Sequence, residues 1–366
     1  MDQLSPQERA VYNLVAANPF ASQAELAAAL GLARPTIAAH IVALVRKGHL
    51  LGRGYMLPVA QRIVALGAAA VDRKYHAAAP LVAGTSNPAR GSRSFGGVAR
   101  NVIENLARLG VATSLITMIG DDEGGREILA QLRDLGVDTG LVATSAFDPT
   151  AEYVAVLDPY NDLAFGIANM GVFDRLGMAH FERVWPHLAS AAIIFADCNL
   201  RIEVLAGLVS RARSVKGSLV IDTTSAPKAR RLPQDLHGID ILFTNQDEAS
   251  ALLGEALDPD LAALALRKKG VAKVVMTMGS DGCLVVEANG ITRVHSPRVT
   301  VRDVTGAGDA LIAGTLYRLL AGEKLPYAAR VGVRLAALTV ESDATVLPTL
   351  CAALLERAPR TERAKP

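Results

Sequence analysis

Residues able to do chemistry are concentrated in Asp303-Val304-Thr305-Gly306-Ala307-Gly308-Asp309-Ala310, which runs directly into an apolar stretch from Leu311 to Leu320. Glycines at 306 and 308 let the backbone approach a ligand with no Cβ between them. A helix starting here would present the amides around Gly306, Ala307 and Gly308 unpaired at the positive end of its dipole, a site for phosphate oxygens. An acid at the rim, Asp309, would repel an anion that was merely stored. It makes sense as a base that takes the proton of a hydroxyl attacking a phosphoryl group. At a helix N-terminus it is expected to stay ionised at neutral pH. The same residues also suit an ordinary glycine-rich N-cap, so neighbouring segments have to decide.

Polar groups of suitable type recur where apolar segments end. Arg62 to Gly67 reads as a buried strand, with Asp72 in the loop beyond it. Ligands in open α/β sheets bind at such strand ends, so Asp72 is placed to hold a polar group; a solvated loop acid is the other reading. Phe95-Gly96-Gly97-Val98-Ala99-Arg100-Asn101 opens a helix. Gly96 and Gly97 would let a sugar lie against the backbone, and the Asn101 amide can both donate to and accept from vicinal hydroxyls; a structural glycine turn is the alternative. In Thr244-Asn245-Gln246-Asp247-Glu248, Asn245 and Glu248 are neighbours on a helix surface. A carboxylate there can order waters on Mg²⁺, and the same pair is also a capping signature. The turn Thr277-Met278-Gly279-Ser280-Asp281-Gly282 either lies against a nucleotide or is a plain hairpin before Cys283 to Glu287.

These segments are spaced by alternating strand and helix patterns. Strands are expected at Ala112–Ile119, Ala191–Ala196, Ser218–Ile221, Ile239–Phe243 and Lys273–Met276, a helix at Gly124–Leu135, and a hairpin from Glu152–Leu157 to Leu163–Ile167. Such alternation predicts an α/β fold with a mostly parallel sheet and helices on both faces. Residues 73–95 show only weak periodicity. No GxxxxGK[ST] occurs and no GxGxxG follows the first strand, which excludes a P-loop ATPase and argues against a dinucleotide fold.

The first 59 residues form a separate module. Ser5-Pro6-Gln7-Glu8 and Ser22-Gln23-Ala24-Glu25 are capping boxes that open two helices, and a third runs from about Ala33 to Lys47. Gly48 to Tyr55 reads as a two-stranded wing. Helix, short helix, turn, longer helix and basic hairpin look like a winged helix-turn-helix. Arg34, Thr36, His40, Arg46 and Lys47 on the third helix, and Arg53 on the wing, are types that contact phosphates and base edges. With five Lys and Arg against three acids the basic bias is slight, and a docking or dimerisation module is the alternative. The short junction at Pro58 to Arg62 suggests that the two domains, 1–59 and 60–366, touch.

Composition sets the frame. Of 366 residues, 51% are hydrophobic and 20% charged, ample for a large core. The net charge of +2 gives no bulk basic field, so any DNA binding must be local. Cys198, Cys283 and Cys351 are widely spaced, without metal-ligand spacing, and read as buried thiols of a reducing compartment. The polar N-terminus offers no signal peptide, and no apolar run of about 18 residues suggests a membrane span. A cytoplasmic protein is expected.

Four motifs in order carry a resemblance: GGVARN at Gly96–Asn101, TNQDE at Thr244–Glu248, TMGSDG at Thr277–Gly282 and DVTGAGDA at Asp303–Ala310. Residues 60 to about 350 resemble the ribokinase-like carbohydrate kinases of the PfkB family. Within it, SNPARGSRSFGGVARNVIENLARLG, FADCNL and VTGAGDALIAG look like pseudouridine kinases, a branch of whose relatives also carries an N-terminal winged helix. The resemblance implies a ribokinase-like sheet with a small β lid over the sugar, at about 73–95 and 150–170. It implies ATP-dependent phosphorylation of a ribose 5′-hydroxyl, with Asp309 as base and Gly306, Ala307 and Gly308 as the anion hole. Asp72, Gly96, Gly97 and Asn101 would hold ribose hydroxyls, and Asn199 would lie near another substrate contact. Asn245 and Glu248 match the motif serving Mg²⁺ and phosphate, with Glu248 acting through water. Thr277, Gly279 and Gly282 would line the ATP site. Asp303 and Thr305 match a loop that binds a monovalent cation, K⁺, in several members. Lids of this family often pair, so a homodimer is expected. In the lid the chain reads Ala168-Asn169 where pseudouridine kinases tend to show Asn-Asp, which leaves the base or sugar open.

Overall fold

The computed structural model describes residues 4–51, 61–160 and 162–356. Residues 52–55 of the expected wing, Arg53 among them, and Asn161 at the hairpin tip lie outside them. Helix α1 (Pro6–Ala17) begins with a closed capping box: Ser5 Oγ accepts the Glu8 amide at 3.2 Å, and Glu8 Oε2 accepts the Ser5 amide at 2.7 Å. Ser22 and Glu25 do the same for α2 (Gln23–Leu30). With α3 (Arg34–Arg46), these helices bury Val11, Val15, Leu26, Ile37, Ile41 and Leu44 in a small core of their own. The bounds match expectation to within a residue or two.

The larger domain is built on alternating strands and helices. Its strands are β1 (Ile63–Leu66), β2 (Ala70–Ala77), β3 (Ala89–Gly96), β4 (Thr113–Ile116), β5 (Met118–Gly120), β6 (Ala143–Ser145), β7 (Glu152–Leu157), β8 (Leu163–Asn169), β9 (Ile193–Asp197), β10 (Ser218–Asp222), β11 (Ile241–Asn245), β12 (Lys273–Thr277), β13 (Cys283–Glu287) and β14 (Gly290–Val294). Its helices are α4 (Val98–Arg108), α5 (Glu123–Asp134), α6 (Met178–Ser190), α7 (Ile202–Ala212), α8 (Ala226–Ala229), α9 (Gln246–Leu253), α10 (Pro259–Lys268), α11 (Ala307–Leu320) and α12 (Leu325–Val340). Eight strands make one sheet in the order β14-β13-β12-β11-β10-β9-β1-β4. It is parallel from β4 to β12 and antiparallel at β13 and β14. Ile63 and Ala65 pack into one apolar cluster with α4 and α11, while Val64 and Leu66 pack into another with α6 and α7. A strand covered on both faces reads as a continuous apolar run, which is why β1 was legible. Parallel pairing puts the carboxyl ends of β1, β9, β10, β11 and β12 along one edge.

Two expectations need correction. Ala112–Ile119 is not one strand: Thr117 breaks it, its carbonyl accepting the Ala143 amide at 2.9 Å, and Met118–Gly120 pairs separately with β6. Asp72 is not in a loop beyond β1 but on β2, opposite Ser94 and Tyr153. Strands β3-β2-β7-β8 form a second sheet, where the lid is expected. Its weak periodicity has a physical cause: β3 is exposed over most of its length and β8 over all of it, so no buried face imposes alternation.

The small module docks on the larger domain at the far end of α3. Trp185 Nε1 on α6 donates to the Arg46 carbonyl at 3.2 Å. Gly48 lies so close to α6 that a Cβ there would come within 2.4 Å of the Ala189–Ser190 backbone. A cavity of about 910 Å³ opens beside this contact, lined by Val42, Val45, Trp185 and Arg211 among others. No single helix among the described residues is long and apolar enough to cross a membrane.

Candidate active site

Asp309 and Asn101 meet at the heart of the site. Gly306 is the N-cap of α11 at φ +83°, and a Cβ there would come within 2.0 Å of the Thr345 carbonyl, so only glycine fits. No side chain caps the helix. Of the three amides expected to be unpaired, that of Ala307 is not, since it donates to the Val304 carbonyl at 3.2 Å; those of Gly306 and Gly308, and that of Asp309 beyond them, find no acceptor among the described backbone groups. A Cβ built on Gly308 meets nothing within 4 Å, so the space beside Gly308 is open. Uncapped donors, a helix dipole and open space together make an anion pocket.

From the other side comes the first turn of α4. Gly97, at φ +93°, packs against the Ala68 carbonyl with no room for a Cβ. That contact orients Asn101, whose Nδ2 donates to Asp309 Oδ2 at 2.7 Å. Asn101 is 4% exposed, and its Oδ1 accepts from Arg100 Nη1 at 2.7 Å. Arg100 is itself buried and paired with Glu104 one turn on. Gly96 lets Asp72 lie against β3: a Cβ there would come within 2.0 Å of the carboxylate. Asp72, Gly96, Gly97 and Asn101 are therefore gathered on the Asp309 side of the site, as expected.

Electrostatics departs from expectation at one point. The carboxyl of Asp309 is pushed up to about 7, chiefly by burial; Asn101 and Arg100 pull it down, while Asp197 and Asp72 push it further up. Its side chain keeps some solvent contact through the open pocket but is walled by protein elsewhere. Desolvation outweighs the helix terminus, so Asp309 is not fully ionised at neutral pH in the unliganded protein. Burial likewise pushes Asp72 up to about 6 against Arg100 and Lys74. Asp222 is raised well above the usual range by burial and then by Glu248, Asp309 and Asp197.

Asp197 ties the strand ends together. It is fully buried; Oδ2 accepts the amides of Ala68 and Ala99 at 2.8 and 3.1 Å, and Oδ1 accepts from the amide and Nδ2 of Asn199, both at 2.9 Å. Asn199 passes the chain on, its Oδ1 accepting from Lys228 Nζ at 2.5 Å. Both ends of the Asn199 amide are thus engaged with protein. At β11, the capping reading of Asn245 and Glu248 is realised: Asn245 Oδ1 accepts the Glu248 amide at 2.9 Å, and Glu248 Oε2 accepts the Asn245 amide at 3.0 Å. Thr223 Oγ1 also donates to Glu248 Oε2. Thr277 ends β12 beside Thr244, and Gly279 and Gly282 bound the short turn after it. Among the described residues no three His, Cys, Asp or Glu side chains converge to hold a metal unaided. A site that shares Mg²⁺ with phosphates and waters needs no such cage, and the mutually repelling set Asp222, Glu248, Asp197 and Asp309 is what a divalent cation would neutralise.

Sequence reasoning missed Arg100, Glu104, Lys228 and the tie made by Asp197. Arg100 and Glu104 stand four apart on α4, a legible ion-pair spacing. Lys228 follows the strand-end acid Asp222 by six residues, with no local signal of its own. Of the DNA candidates, Arg34 and Arg46 are exposed, Thr36 and His40 are half-buried, and Lys47 is bound to Glu8 at 2.7 Å. Cys198 and Cys283 are buried and burial pushes their thiols up, but Cys351 is exposed, against expectation.

Comparison with known proteins agrees with this geometry. The profile of the pfkB family of carbohydrate kinases matches residues 60–350, and that of the winged helix-turn-helix DNA-binding domains matches residues 4–48. An uncharacterized sugar kinase of Escherichia coli K12, YeiI, is 29% identical over 95% of this chain and 97% of its own. The pseudouridine kinase of the same organism is 30% identical over 69% of this chain and 82% of its own. Among solved structures, a carbohydrate kinase from Agrobacterium tumefaciens superposes with a TM-score of 0.70 at 31% identity, covering 81% of this chain and 96% of that one.

Proposed function

The chain belongs to the pfkB family of sugar and nucleoside kinases, and on that premise we propose that it transfers the γ-phosphate of ATP to the 5′-hydroxyl of a ribonucleoside, with pseudouridine as the preferred acceptor. The observation that carries the reading is the placing of Asp309 between the Asn101 amide and the open amides of Gly308 and Asp309. An acceptor hydroxyl seated against Asp309 faces a phosphoryl group seated on those amides. As the new O–P bond forms and the bond to ADP breaks, the hydroxyl proton passes to an Asp309 oxygen. The transition state is loose, so positioning and charge stabilisation supply most of the rate. Asp72 and Asn101 hold the ribose hydroxyls; Thr277, Gly279 and Gly282 line the nucleotide. Asn245 Nδ2 and Glu248 Oε1, the atoms outside the capping box, face the phosphates, with Mg²⁺ held through water. When bound, Mg²⁺ supplies positive charge to the transferring phosphates. Lys228 and Arg100 add the protein's own cations to this acid-rich site.

A panel of nucleosides and sugars with ATP tests the reading. Pseudouridine is expected to be turned over with the highest kcat/KM and to yield a 5′-monophosphate. Preference for a free sugar would move the chain to another branch of the family.

A second reading is favoured by the docking of α3. One end of that helix is fastened to α6 through Trp185 and Arg46, while Arg34 at the other end is exposed. A nucleoside-dependent shift in the kinase domain would therefore reach a DNA-facing helix. Salt-dependent binding to promoter DNA that changes with pseudouridine would support it. The same reading expects a homodimer. Leu163, Phe165 and Ile167 share one face of β8 and are 56%, 62% and 61% exposed, an apolar row suited to the lid of a second copy. Buried thiols at Cys198 and Cys283 suit a reducing compartment such as the cytoplasm.

A further inference from the structure

Lys74 reaches from the lid into the loop that feeds the anion pocket. Its ammonium is paired with Asp303 Oδ2 and donates to Thr305 Oγ1 at 3.0 Å. Asp303 Oδ1 is taken as well, accepting the Thr305 amide at 2.8 Å and the Thr305 hydroxyl at 2.6 Å. These are the two side chains whose match to the family loop implies a monovalent cation. With both carboxylate oxygens and the hydroxyl engaged, they do not fit K⁺ unless Lys74 leaves. We infer that the Lys74 ammonium takes the place of the monovalent cation, so that phosphotransfer by this chain needs no added K⁺.

Three considerations support the exchange. An ammonium group carries the charge of K⁺ and is of similar size. The pair is not a loose surface contact: Lys74 and Asp303 are 23% and 25% exposed, which lifts it above the exposed pairs that contribute little. Finally, the loop is anchored next to the pocket it must support. The amides of Arg302 and Asp303 both donate to the Val340 carbonyl, and Gly306 lies against Thr345.

The source of the charge matters. Lys74 and Asp72 are two apart on β2 and share a face, so one lid strand carries both the proposed ribose ligand and the cation that braces the anion pocket. A freely exchanging ion would leave the lid and the pocket independent. A tethered ammonium couples them, because lifting β2 would remove the charge beside Asp303.

The inference rests on the kinase reading only for its effect on rate, so the deciding measurement contains no substrate. Wild type and Lys74→Met are melted in KCl and in choline chloride at equal ionic strength. Wild type is expected to melt at the same temperature in both salts. Lys74→Met, which keeps the apolar stem, is expected to melt lower in choline and to recover by several degrees in KCl, through binding of the vacated cation site. Adding Asp303→Asn to that variant should abolish the recovery. A K⁺-specific gain in wild type, or none in Lys74→Met, overturns the inference. In the parallel phosphotransfer assay, wild type should be unaffected by K⁺. Lys74→Met should fall roughly tenfold and regain its rate in KCl. A wild type that phosphorylates nothing in the acceptor panel would count against the kinase reading and leave the melting result to decide this point.

Discussion

Asn101 Nδ2 donates to Asp309 Oδ2 at 2.7 Å across 208 residues of sequence. The bond joins the first turn of α4 to the first turn of α11, so two helix N-termini converge on one carboxylate. Asn101 is held in turn by Arg100, so Asp309 is positioned by a chain of buried groups.

The pH dependence of kcat/KM should report this carboxylate. The proposed base would work only when deprotonated, and in the free protein Asp309 is raised to about 7. The profile is therefore expected to rise with pH through about 7 and then level off. Asn101→Ala removes a donor that favours the charged form, so the inflection should move up, by roughly one pH unit. An unshifted profile in that variant would mean that the titrating group is not Asp309.

Stability should move in the opposite sense to activity. A carboxyl whose folded value is raised binds its proton more tightly in the native state. Its contribution is present below the unfolded value of 3.8 and is lost as pH rises through about 7. Asp309→Asn cannot ionise, so it should match wild type near pH 4 and exceed it above pH 7 by roughly 4 kcal/mol. Denaturant melts at the two pH values check this.

The two glycines of the pocket should fail differently. Gly306→Ala forces a Cβ against the Thr345 carbonyl in a left-handed backbone and should destabilise the protein by about 1–3 kcal/mol. At Gly308 a Cβ meets no protein atom, so Gly308→Ala should melt like wild type. It should still lose turnover, because the methyl group occupies the space proposed for phosphate. Equal melting shifts for both variants would argue that the space over Gly308 is not a ligand site.

Local signals made much of this legible. The capping boxes at Ser5–Glu8 and Ser22–Glu25 fixed the starts of two helices, and apolar runs such as Ile63–Leu66 marked strands buried on both faces. Asp309 and its glycines stood out because an acid at a glycine-rich helix start breaks the usual logic of an anion site. What stayed hidden depends on partners distant in sequence or on missing alternation. Asp72 reads as a loop residue because β2 shows no burial alternation past Val71: residues 72–76 are all half-buried or exposed. The titration of Asp309 could not be foreseen, since burial and the neighbouring Asp197 and Asp72 come from the fold. The pairing of Lys74 with Asp303 and the docking of Trp185 on Arg46 join residues 229 and 139 apart, with nothing local to announce them.

The most direct test compares wild type with Asp309→Asn in single-turnover transfer from ATP to pseudouridine, with ATP affinity measured alongside. Wild type should yield pseudouridine 5′-phosphate, while the variant binds ATP normally and transfers about 10²–10⁴-fold more slowly. Transfer by the variant at the wild-type rate would contradict the assignment of Asp309 as the base, and with it the proposed mechanism.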